Sequence, residues 1–208
     1  MRAWILAVVL AAAGAFAPAQ ADRLRAALDL CLDPAISFDG LKDGLTDLGY
    51  RDATDRDLWL MAETHTMVTI FNFFSTNLPN GDDIERNHRL IAGAGEFDFV
   101  HILSAGDGEV LQIRRDPSDP TVHDYHCIFG FREMPNGLAA KLFDPSTDAR
   151  TDDMGYYKMT ATLVKGDGKS DFRLIADLDT QALDAALPDR PGVAAIVMTA
   201  LKLENGDK

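Results

Sequence analysis

Basic residues, cysteines and long apolar runs are all scarce in this 208-residue chain. Its 20 lysines and arginines stand against 33 aspartates and glutamates, a formal net charge of −13. Nucleic acids and anionic membrane surfaces are bound chiefly by neutralising their charge with Lys and Arg, so both are disfavoured as partners. Two cysteines cannot staple a disulfide-dense miniprotein, and neither belongs to a Cys-x-x-Cys redox or haem-attachment pair. The chain also lacks a Gly-x-Ser-x-Gly elbow, a His-Glu-x-x-His helix and a dinucleotide fingerprint. No local spacing therefore argues for an activated nucleophile, a catalytic metal or a nucleotide cofactor. With 47% hydrophobic and 25% charged residues, what is there is the composition of an acidic, soluble folded domain.

One apolar run stands out. Arg2 precedes Ala3–Ala17, and Pro18-Ala19-Gln20-Ala21 ends the run with small residues at the two positions that signal peptidase reads. This predicts a signal peptide over residues 1–21, cleaved after Ala21, and a single domain over 22–208. At about 15 residues the run is shorter than the roughly 20 that a membrane anchor needs. The expected product is secreted or periplasmic, with no stable membrane insertion. In an oxidising compartment two thiols are expected to pair, so Cys31 and Cys127 are assigned to a disulfide. Closing so long a loop is worth about 4–5 kcal/mol in the chain-entropy model.

Periodicity divides the chain into two textures. Leu24, Leu28, Cys31 and Leu32 recur at helical spacing up to Pro34, and Phe38, Leu41, Leu45 and Leu48 do so up to Gly49. Thr54 and Asp57 make a capping-box-like start to a longer helix striped by Leu60, Met67, Phe71, Phe74 and Leu78. Within it Thr66–Phe74 suits a strand as well, being rich in Thr, Val, Ile and Phe; the stripe favours helix. A further helix is expected over 83–92. From Phe97 the period becomes two, with a hairpin turning at Asp107-Gly108 and a third strand over 122–131. A short helix follows Pro135, and a second hairpin pairs 156–164 with 172–176 around Gly166-Asp167-Gly168. A helix over 181–187 and a last buried strand within 193–203 complete the chain. Helices first and hairpin-linked strands afterwards define an α+β fold: N-terminal helices, then a mostly antiparallel sheet covered on one face, with one or two short inserted helices. Gly40-Leu41 and Gly137-Leu138, each following a cysteine by about ten residues, form a faint echo, read as chance unless the fold is itself duplicated.

Few residues carry candidate chemistry. His123-Asp124-Tyr125-His126-Cys127 is the densest set of ligand types, making His123 and His126 weak metal candidates. In a strand, residues three apart face opposite sides, so these two cannot share an ion without a bulge, and Cys127 is claimed by the disulfide. No metal site is expected. Glu63 and His65, two apart on a helix, point to different sides. His65 and His88 have no local partner, and His101, alternating with phenylalanines, reads as a hydrogen-bonded sheet-face residue. The acidic stretches Asp82-Asp83 and Asp144–Asp153 offer hard oxygen ligands but lack calcium-loop spacing, and are read as solvated turns.

The preferred functional reading is a non-enzymatic domain that binds a protein or small molecule without a cofactor. Two alternatives stand beside it: a hydrolase-like enzyme whose histidines and acids converge only in the fold, and a metal-binding protein around His123 and His126. A deep pocket lined by two or more of His65, His88, His101 and His126 would favour the enzyme, and an exposed apolar surface the binder.

Overall fold

The computed structural model describes residues 20–72, 77–94, 97–106, 108–117, 124–135, 137–138, 142–143, 148–166 and 168–203. The expected signal peptide lies outside them except for its last two residues, and so do His123 and most of the helix expected after Pro135.

Two helices open the fold. Helix α1 (20–31) buries Leu24, Ala27, Leu28 and Cys31. Helix α2 (Phe38–Asp47) is capped by Ser37, whose hydroxyl accepts from the Gly40 amide at 3.0 Å, and it buries Phe38, Leu41 and Leu45. Strand β1 (Arg51–Asp52) leads into α3 (Asp55–Asn72), and α4 (Gly81–Ala94) doubles back on α3. The ambiguous stretch is helix as far as Asn72. Its β-branched threonines fit because Thr64, Thr66 and Thr69 donate to the carbonyls four residues earlier, at 2.9 to 3.0 Å, which satisfies hydroxyls that a strand would have turned elsewhere. Asp57 accepts from both the amide and the hydroxyl of Thr54, as the expected helix start required.

The strands are β2 (Val100–Gly106), β3 (Glu109–Arg115), β4 (Asp124–Phe131), β5 (Arg150–Asp153), β6 (Tyr157–Gly166), β7 (Lys169–Leu178) and β8 (Ala195–Leu203), with α5 (Thr180–Ala186) before the last. They form one antiparallel sheet in the order β1-β2-β3-β4-β8-β7-β6-β5. The fold is α+β, as the sequence indicated. The two ends of the sheet are short and charged, Arg51-Asp52 at one and Arg150 with Asp152 and Asp153 at the other, which discourages strand addition. Part of the stretch expected as an acidic loop is thus an edge strand, held by pairing Arg150–Asp153 with Lys158–Ala161. Residues 97–99 form a turn, so β2 begins at Val100 rather than Phe97.

The expectation of one covered face is corrected: helices lie on both. Helices α1 and α2 pack on Leu103, Leu111, Ile113, Cys127 and Phe129, while α3 and α4 pack on Val110, Ile128, Leu174 and Ile196. Burial on both faces is why β3, β4 and β8 are buried at consecutive positions instead of alternate ones. At Gly130 the approach is closest, for an added Cβ would stand 2.1 Å from the Thr64 hydroxyl of α3. The Cys31–Cys127 disulfide, its ends 96 positions apart and both cysteines fully buried, ties α1 to β4.

The strand order consists of two four-stranded meanders joined through their last strands, β4 and β8. Each has a Gly-Asp-Gly triplet between its second and third strands, and Leu41 with Leu45, like Leu138 with Leu142, lies in the core under one face. The sequence echo therefore has a counterpart in the topology. Among the described residues no helix is long and apolar enough to cross a membrane.

Candidate functional site

The histidines of the described residues do not converge on one pocket. His65 on α3 is half-buried, with Nε2 2.8 Å from the Gln112 side-chain oxygen of β3. Burial lowers its pKa, the charge of Arg114 adds to this, and the Gln112 hydrogen bond opposes it. His101 lies on the opposite face, stacked on Phe38 at 5.4 Å, and its pKa is also lowered, first by burial and then by Lys42. His126 pairs with Asp124 two residues away on the same strand face, at 2.9 Å, and is largely open to solvent. Among the described residues no group of three or more His, Cys, Asp or Glu side chains is placed to hold a metal ion. Of the acidic stretches, Asp83 pairs with Arg86, Asp152 with Arg150, and Asp153 accepts from the Gly155 amide; residues 144–147 lie outside the described set.

Among the described residues two carboxylates are fully buried, Glu63 and Glu109, and each has a structural partner set. Glu109 receives hydrogen bonds from Arg23 at 2.9 Å and from the Tyr50 hydroxyl, whose pKa burial and the Glu109 charge push upward. Glu63 is bonded to Arg190 and to the amides of Gly192 and Val193 at 2.7 and 2.9 Å. Arg190 in turn reaches Asp184 at 2.6 Å and the Val193 carbonyl at 2.8 Å. These bonds hold the Pro188–Val193 segment from behind.

In front of that segment opens the site. A cleft of about 670 Å³ lies between the first turns of α3 and α4, the residue after β4, and the loop that follows α5. Its apolar walls are Trp59, Ile84, Leu187, Pro188 and Pro191. Its charged lining is Arg56, Arg132 and Arg190 against Asp55 and Asp189. The indole of Trp59 is covered on one face by His88, stacked at 3.8 Å and 9°, so the cleft meets the other face or the edge. His88 also lies 3.4 Å from the Asp55 carboxylate. A volume of this size, with apolar walls and charged groups between them, is of the kind that takes a small molecule. The back wall is held by buried ion pairs, so a ligand would meet it already formed.

None of these lining residues was singled out from the sequence. Four separate segments supply them, and the nearest local signal in the sequence is the pair of prolines, Pro188 and Pro191, on either side of Arg190. Comparison with protein-family models, with curated proteins and with solved structures returned no match to this chain.

Proposed function

We propose that this protein is an exported, non-enzymatic binding protein that takes a small organic ligand in the cleft beside Trp59. The cleft carries the proposal: it is concave, walled by apolar side chains, and backed by a segment that Glu63 and Arg190 hold in place. No described histidine lines it. Export is supported by the buried disulfide, a feature of oxidising compartments. Nucleic acid remains a disfavoured partner on the charge of the whole chain.

The test uses fluorescence. The chain has two tryptophans, Trp4 and Trp59, so Trp4→Phe makes Trp59 the reporter. Screening small organic compounds against this variant by thermal shift, with Trp59 emission followed for each hit, should give compounds that both raise the unfolding temperature and change the emission. Hits that stabilise the protein and leave Trp59 silent would place binding elsewhere. Export is checked by the intact mass of secreted material, which should begin at Asp22; a mass still including residues 1–21 would overturn it.

A further inference from the structure

The charges around the cleft narrow the ligand's chemistry. Arg190 is neutralised from behind by Glu63 and Asp184. Asp55 faces His88. The cleft's other charged groups are Arg56 and Arg132, neither of them ion-paired among the described residues, and the carboxylates of Asp55 and Asp189. Elsewhere the arginines are mostly spent on carboxylates, as at Arg23–Glu109, Arg86–Asp83, Arg89–Glu85, Arg150–Asp152 and Arg173–Asp171. In a chain with 33 acidic and 20 basic residues, two guanidinium groups without an ion pair among the described residues stand in the lining of one cleft.

Guanidinium groups recognise planar oxyanions by charge-assisted, often bidentate hydrogen bonds, and they keep their charge when partly buried. Trp59 supplies a flat apolar contact beside them, and Pro188 with Pro191 a rigid one opposite. We propose that the cleft takes a small organic anion: a flat apolar body, of the size of one or two fused rings, bearing a single carboxylate, sulfonate or phosphate group. The oxyanion is held by Arg56 and Arg132, and the apolar body lies against Trp59 and the proline wall. This rests on the reading of the cleft as a ligand site. It adds that the ligand carries negative charge, although the protein as a whole repels anions.

A matched pair of probes separates the two claims. The anionic dye 8-anilino-1-naphthalenesulfonate and its uncharged parent N-phenyl-1-naphthylamine share an aromatic body and differ in the sulfonate. Each is titrated into the full chain carrying Trp4→Phe, with Trp59 quenching and dye emission as readouts. The anionic dye should bind at least about tenfold more tightly than the neutral one, as one charge-assisted hydrogen bond provides. Arg132→Met and Arg56→Met should each remove about that advantage and leave the neutral dye's affinity unchanged. Both variants alter side chains without an ion pair among the described residues, and unchanged unfolding temperatures would show that they fold. Equal affinity for the two dyes, quenching of Trp59 by both and indifference to the arginine substitutions would overturn the anion assignment while leaving the cleft a ligand site. Dye binding that never quenches Trp59 and persists in Trp59→Phe would overturn both.

Discussion

Glu63 and Arg190, 127 positions apart in the chain, form an ion pair whose side chains are 1% and 2% exposed. The remaining acceptor positions of Glu63 are filled by the Gly192 and Val193 amides, and Arg190 also donates to the Val193 carbonyl. The pair fastens α3 to the turn that feeds β8, and so fixes the rear of the cleft. A buried charge is tolerated in this way only while its partners are present.

The costs of removing the two partners should therefore not add. Glu63→Leu or Arg190→Met alone is expected to lower the urea unfolding free energy by about 3–5 kcal/mol, and the double substitution by less than the sum of the two. A double-mutant cycle by chemical denaturation measures this. Single costs below about 1 kcal/mol would mean that water reaches the pair.

Gly130 of β4 and Thr64 of α3 provide a steric test. Gly130→Ala places a methyl group 2.1 Å from the Thr64 hydroxyl and should cost about 1–3 kcal/mol. Thr64→Ala in that background removes the clashing oxygen and should recover part of the loss. Additive costs in thermal or urea unfolding would show that α3 does not sit on β4 at this point.

His65 makes stability depend on pH with a definite sign. Its pKa in the folded protein lies below the ordinary value of about 6.5, chiefly through burial, so the unfolded chain takes up the proton first as pH falls. The stability it contributes is complete above about 6.5 and is lost as pH drops from there through the folded value. His101 shifts in the same direction, again through burial and then Lys42. Unfolding free energy should fall between pH 7.5 and 5.5, and His65→Gln should flatten that slope while leaving the His101 share. An unchanged slope in His65→Gln would show that His65 is protonated as readily in the folded state as in the unfolded one.

The disulfide closes a loop spanning 96 positions, for which chain entropy gives about 4–5 kcal/mol. Reduction, or Cys31→Ser with Cys127→Ala, should lower the thermal midpoint by about 10 °C. Thiol titration of denatured, unreduced protein should find no free cysteine. Two reactive thiols would refute the bridge.

The helical and strand segments were legible because their signals are local: apolar residues at steps of three and four in α1 and α2 and at steps of four and seven in α3, and turn residues at Asp107-Gly108 and Gly166-Asp167-Gly168. The double-sided burial was also written in the unbroken apolar runs Val110-Leu111 and Cys127-Ile128-Phe129, although alternation around Phe97–Ser104 pointed to one face. The strands β1 and β5 were not legible. They are short and polar, and they exist because neighbouring strands offer hydrogen-bonding edges to pair with.

What the sequence determined by itself was what depends on neighbours along the chain: the secondary elements, the antiparallel hairpins, the acidic balance and the absence of any local catalytic motif. The tertiary structure alone decided which distant groups meet. It set Glu63 against Arg190, His65 against Gln112, and Arg56 and Trp59 on α3 beside Arg132 and the Pro188–Pro191 loop. The reason is physical. Periodicity records the face on which a side chain is buried, whereas the partner it finds there depends on how the sheet and its two helical layers close on one another, which no spacing in the chain encodes.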